Sequence, residues 1–161
     1  MNAEALLNRV ANVLAKHRLE AVMVGNAAAA LHGAPVTTID VDFMFRKTAA
    51  NLKKLKAVAA SLGADILKPY YPVSDLFRVI NAQQGLHLDF MPRLNGIRSY
   101  EGLRDRASPV NFGQHQLLVA RLEDIIKSKK ATGRPQDLAV LDVLEKTLEA
   151  QNVAHQKKPR K

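Results

Sequence analysis

The chain has 161 residues, 47% of them apolar, which suits one folded domain with a sizeable core and excludes a disordered composition. There is no cysteine, so disulfides and thiolate metal sites are excluded. The net charge is +9, and the terminal "KKPRK" carries four of those charges, so the body is still +5 and a polyanionic partner such as RNA or DNA fits it.

Residues 3–18 place Leu6, Leu7, Val10, Val13 and Leu14 at helical spacing, with Glu4, Asn8, Arg9 and Lys16 between them. That is an amphipathic helix and not a signal peptide. No apolar run reaches the roughly 18 residues of a membrane span, and a cytoplasmic protein without membrane contact is expected. "AVMVG" (21–25) reads as a short buried strand ending in glycine. Asn26 to Leu31 then form a short helix with Asn26 as N-cap. In "TTIDVDFMF" (37–45) the side chains alternate: Ile39, Val41, Phe43 and Phe45 face one way, and Thr38, Asp40, Asp42 and Met44 the other.

Thr48 caps a helix that buries Leu52, Leu55, Val58, Ala59 and Leu62. "ADIL" (64–67) is a further strand, and "KPYYPVSD" (68–75) a loop. "LFRVIN" and "LHLDFM" are two strands joined by "AQQG", a hairpin-length connection. In the second, His87, Asp89 and Met91 share a face, on which a solvated histidine is the expectation. A short helix over 99–107, a hairpin turning at Gly113 and a helix over 121–131 follow. Pro135 opens a last helix that buries Leu138, Leu141, Leu144 and Leu148. The expected layout is one domain over 1–152, with a core of about 20–120 and C-terminal helices of about 121–150, then a basic disordered tail over 153–161.

Two residues along a strand span roughly 6–7 Å, so Asp40 and Asp42 stand side by side. Like charges that close repel, so the face is either solvated or shared with a cation. Mg2+ takes oxygen ligands and is typically held by one or two carboxylates plus substrate phosphates. Asp89, on the polar face of its own strand, is the third carboxylate that a second metal of a phosphoryl-transfer site would need. Read alone, D-x-D fits an acid-decorated exposed strand better than a metal site. The preceding element points further: Gly25 ends a strand and a helix starts directly after it, an arrangement suited to phosphate.

These residues resemble the nucleotidyltransferase superfamily with a DNA polymerase β-like fold. Its pattern is an apolar strand, Gly-Gly or Gly-Ser, a short helix, a strand carrying D-x-D, and a third acid on a later strand. The likeness is greatest to small bacterial nucleotidyltransferases of toxin–antitoxin systems. It rests on "GNAAAALHG…TTIDVD" and "KSKKATGRPQDL", and covers about residues 20–145. The resemblance implies an α+β fold, a mixed sheet flanked by helices with the C-terminal helices packed on it. It implies an enzyme that uses Mg2+ or Mn2+ and takes an NTP as substrate. Asp40, Asp42 and Asp89 would hold the metal and carry catalysis, while Gly25 and Asn26 would hold the triphosphate. Lys129, with Lys130 beside it, would touch phosphate, and Asp137 would be a late acid near the site. Asn26 stands where the family has glycine or serine. The acceptor would be RNA such as a tRNA end, or a protein hydroxyl, and an antitoxin protein would be a partner. The other reading is a non-catalytic nucleotide- or nucleic-acid-binding module on the same fold.

Overall fold

The computed structural model describes residues 3–37, 40–67 and 75–156. The expectations for Thr38, Ile39, most of the loop at 68–75 and the tail beyond 156 lie outside the described residues.

A seven-stranded mixed sheet forms the centre, in the order β3-β4-β5-β2-β1-β7-β6. The strands are β1 (Ala21–Val24), β2 (Val41–Phe45), β3 (Asp65–Leu67), β4 (Phe77–Asn81), β5 (Leu86–Met91), β6 (Ser108–Phe112) and β7 (His115–Val119). The helices are α1 (Ala3–Lys16), α2 (Gly25–Leu31), α3 (Ala49–Ser61), α4 (Tyr100–Arg106), α5 (Leu122–Thr132) and α6 (Pro135–Gln156). This is the expected α+β architecture.

β1 is buried along its whole length, which explains why "AVMV" is continuously apolar and does not alternate. It pairs antiparallel with β2 and parallel with β7, while β2 pairs parallel with β5. β4 and β5 form the expected hairpin, closed by a 3-10 turn at Ala82–Gln84. One face of the central strands is an aromatic core. The Phe43 and Phe90 rings stack 5.1 Å apart, and Phe45 meets Phe90 edge-on at 5.9 Å. Burying rings of this size dominates core energetics. Since Phe43 and Phe90 point into the core, the neighbouring Asp42 and Asp89 must point to the other face.

Thr48 Oγ1 accepts from the Asn51 N–H at 3.0 Å and starts α3 as expected. Two helix expectations are corrected. Helical hydrogen bonding in α2 begins at Gly25, with Val24 at the N-cap and no side-chain cap bond, so Asn26 is not the cap. Leu138 is 52% exposed, because α6 packs on α5 along one side only; Leu144 is buried, and Leu141 and Leu148 are partly buried. α6 also runs to Gln156, past the expected helix end near 150. No helix among the described residues is long and apolar enough to cross a membrane.

Candidate active site

Sheet register assembles the acids. Arg78 pairs with Asp89, Asp89 with Asp42, and Asp42 with Val24, so these four side chains form one row across four strands. His87 lies two residues before Asp89, and Asp40 two before Asp42. They meet just beyond the end of the β2–β5 ladder, where His87 Nδ1 is 3.0 Å from Asp40 Oδ1. His87 Nε2 is 3.3 Å from Asp89 Oδ1, so the imidazole bridges the two carboxylates. Arg78 Nε donates to the same Asp89 oxygen at 3.1 Å. Asp89 is only 5% exposed, and these two partners offset the cost of burying its charge.

Asp42 is the strained acid of the group. Burial first, and then the charges of Asp89 and Asp40, push its carboxyl up to about 6, against the pull of Lys129 and His87. A carboxylate that resists ionisation because it is buried, and then because other acids crowd it, is one that a cation stabilises. Among the described residues, Asp40, His87 and Asp89 offer ligand atoms within 4.8 Å of one another. The carboxylate oxygens of Asp40 and Asp89 suit a hard divalent cation, with Asp42 the adjacent carboxylate, and the His87 nitrogen is a donor that Mn2+ accepts more readily than Mg2+. The donor set therefore fits the metal that the sequence implies.

Gly25 closes this site from below. Its φ is +68°, and a Cβ there would stand 2.8 Å from Asp42 Oδ2. Only glycine permits both the backbone turn and the close approach. Asn26, next in α2, buries its Oδ1 without a hydrogen-bond partner among the described residues.

The late motif reaches the same cleft. Arg134 grips Asp137 through Nε and Nη2 at 2.7 and 3.2 Å, and Lys129 Nζ lies 3.6 Å from Asp137 Oδ1. Arg134 above all holds the buried Asp137 carboxyl below its usual range. Burial lowers the Lys129 ammonium, while Asp137 and Asp42 act to keep it charged. Gly25, Asp40, Asp42, Asp89, Lys129 and Asp137 all line one cleft of about 780 Å³, together with Arg78 and Arg134. Lys130 is not brought in: it is 57% exposed and pairs with Glu145 at 2.9 Å.

Three groups at the site were not singled out as site residues from the sequence. His87 is held between two acids, not solvated. Arg78 was findable, since the short "AQQG" turn sets it opposite Asp89. Arg134 lies inside the "GRPQDL" motif itself.

The same fold occurs in solved proteins of low sequence identity. The crystal structure of ANT(2'')-Ia in complex with adenylyl-2''-tobramycin aligns with a TM-score of 0.63 at 15% identity, covering 94% of this chain and 92% of that one. The solution structure of the same antibiotic-resistance factor gives 0.61 at 14%, covering 95% and 90%. A putative nucleotidyltransferase from Thermotoga maritima, TM1012, gives 0.56 at 16%, covering 91% and 92%. No curated protein matches the sequence. The model of one family, described as nucleotidyl transferase of unknown function (DUF2204), matches residues 3–159, and the chain therefore belongs to that nucleotidyltransferase family.

Proposed function

We propose that the protein transfers a nucleoside monophosphate from an NTP to an acceptor hydroxyl, with Mg2+ or Mn2+ as the metal. The observation that carries this reading is the convergence of Asp40, Asp42 and Asp89 beside Gly25 in one cleft with Lys129. The acceptor oxygen attacks the α-phosphorus in line, the bond to the β-phosphate oxygen breaks, and pyrophosphate leaves. Asp89 accepts the hydroxyl proton or completes the metal site. Asp40 and Asp42 hold the metal, which when bound neutralises phosphate charge and polarises the reacting phosphoryl group. Gly25, with Asn26 beside it, lets the triphosphate approach the backbone. Lys129, oriented by Asp137, adds positive charge. Such catalysis is mainly positioning and charge neutralisation.

The net charge of +9 favours RNA, such as a tRNA end, as acceptor, with a protein hydroxyl as the alternative. The same charge disfavours a small polycation such as the tobramycin seen adenylylated on the ANT(2'')-Ia fold. The resemblance of the two motif blocks to those of toxin-type nucleotidyltransferases supports the role of a toxin restrained by an antitoxin protein. One observation favours a non-catalytic nucleotide-binding module on the same fold: the half-buried Asn26, whose Oδ1 is buried, stands where close phosphate approach is needed.

Incubation with α-labelled NTPs, Mg2+ and total RNA or lysate separates these readings. Label transfer by the wild type and none by a folded Asp40→Ala variant is expected. Transfer that persists in the variant removes the assignment, and NTP binding without transfer to any acceptor favours the binding module.

A further inference from the structure

A second cavity of about 240 Å³ adjoins the cleft, and Asp124 lines both. Asp124 is 3% exposed, and its Oδ2 accepts from Arg106 Nε at 2.9 Å and Arg121 Nε at 3.1 Å. Both guanidinium groups are thus anchored through Nε by one buried carboxylate. Their terminal Nη groups have no partner among the described residues. Arg98 and Lys127 line the same cavity, are exposed, and make no ion pair among the described residues. Glu123 is the other acid there, so four cations face two carboxylates, one of which already holds two of the cations through its Oδ2.

The wall between the cations is fixed in place. A Cβ on Gly96 would stand 2.9 Å from the Lys127 carbonyl oxygen and 3.0 Å from Ala131 Cβ, so the loop bearing Arg98 is pressed directly on α5. Asn95 Nδ2 ties the same loop to Thr132 Oγ1 at 3.3 Å. Guanidinium groups held in a fixed fork recognise phosphate oxygens bidentately, and their geometry is set before the ligand arrives.

We propose that this cavity binds the phosphodiester backbone of an RNA acceptor and leads its end toward the cleft. Naming the RNA as acceptor rests on the nucleotidyl-transfer reading; the RNA site itself stands on the cations and is tested without turnover. The absence of tryptophan and the scarcity of aromatic residues fit backbone contact better than base stacking.

The test is fluorescence anisotropy of a labelled single-stranded RNA of about 15 nucleotides on the full chain, over a salt series. Arg98→Ala with Lys127→Ala removes two exposed charges without disturbing the Asp124 cluster. The double variant is expected to bind about tenfold more weakly, with a salt slope reduced by about 1.4. Its affinity for a fluorescent ATP analogue should be unchanged. Lys53→Ala with Lys56→Ala, two exposed lysines on α3, is the control of equal charge and should leave both quantities nearly unchanged. Equal loss in the two double variants would mean diffuse attraction and would overturn the site, as would RNA affinity unaffected by removing Arg98 and Lys127. Loss confined to the Arg98 and Lys127 variant upholds the site even if no label transfer is ever found.

Discussion

Gly25 and Asp42 are so close that a Cβ at position 25 would lie 2.8 Å from Asp42 Oδ2. The glycine at the end of β1 and the second acid of the D-x-D motif therefore form one unit. Gly25→Ala adds a left-handed backbone strain of about 1–2 kcal/mol and also displaces the Asp42 carboxylate. Gly85→Ala imposes the same kind of strain at φ +67°, but nothing lies within 4 Å of its Cβ. Gly85→Ala should lose about this backbone strain in denaturant melts, and Gly25→Ala at least as much. Only Gly25→Ala should also weaken Mn2+–nucleotide binding, by about tenfold or more, a loss of about 1.4 kcal/mol.

Asp42 makes metal-free stability depend on pH with a definite sign. Its folded carboxyl is pushed up to about 6 from an ordinary value of 3.8, so the folded state holds the proton more tightly. Stability is then greatest below about pH 4 as far as this group is concerned, and is lost as pH rises through about 6. The loss is on the order of 2–3 kcal/mol. Urea melts without metal should show this fall, and Asp42→Asn should flatten it. A divalent cation with nucleotide should restore stability at pH 7, by roughly 2.7 kcal/mol at a hundredfold excess over Kd.

Arg78→Ala leaves the buried Asp89 with His87 as its one remaining side-chain partner among the described residues. Removing one partner of a buried pair costs about 3–5 kcal/mol, and the 39% exposed Arg78 side chain places this case below that range, at about 2 kcal/mol. Arg78→Lys should recover only part, since an ammonium lacks the guanidinium's fixed geometry. Thermal melts of the three proteins measure the order.

Asp137→Ala frees Arg134 and leaves the half-buried Lys129 without its nearest counter-charge. Lys129 should then point less firmly into the cleft, and NTP affinity should fall about tenfold, the scale of one charge-assisted hydrogen bond. Binding of Mn2+ alone should change little, because Asp40 and Asp89 are held by other partners. Calorimetric titration of metal and nucleotide separately reads both quantities.

The legible part of this protein was local. Alternation in "TTIDVDFMF" and "LHLDFM" placed Asp42 and Asp89 opposite the aromatic core, and Thr48 and Pro135 marked helix starts that the structure contains. The His87 bridge was not legible, because it depends on the parallel pairing of β2 and β5, strands separated by α3 and two other strands. Asn26 looked like a cap by residue type, yet the chain already turns at Gly25 with its positive φ, and helical bonding begins there with Val24 at the N-cap. Leu138 carries the helical spacing of its buried neighbours, but α6 has too little structure around it to cover every leucine. Lys129 and Lys130 are adjacent and alike in sequence; the helical turn sends one into the cleft and the other to Glu145.

The most direct measurement is a crystal structure grown with Mn2+ and an NTP analogue that has a methylene bridge between the α- and β-phosphates, with the metal located by anomalous scattering. The expected result is a Mn2+ peak bound by Asp40 and Asp42, with the triphosphate against Gly25 and the α-phosphate facing Asp89. A nucleotide seated in the cleft with Mn2+ held by its phosphates alone, away from Asp40 and Asp42, would contradict it.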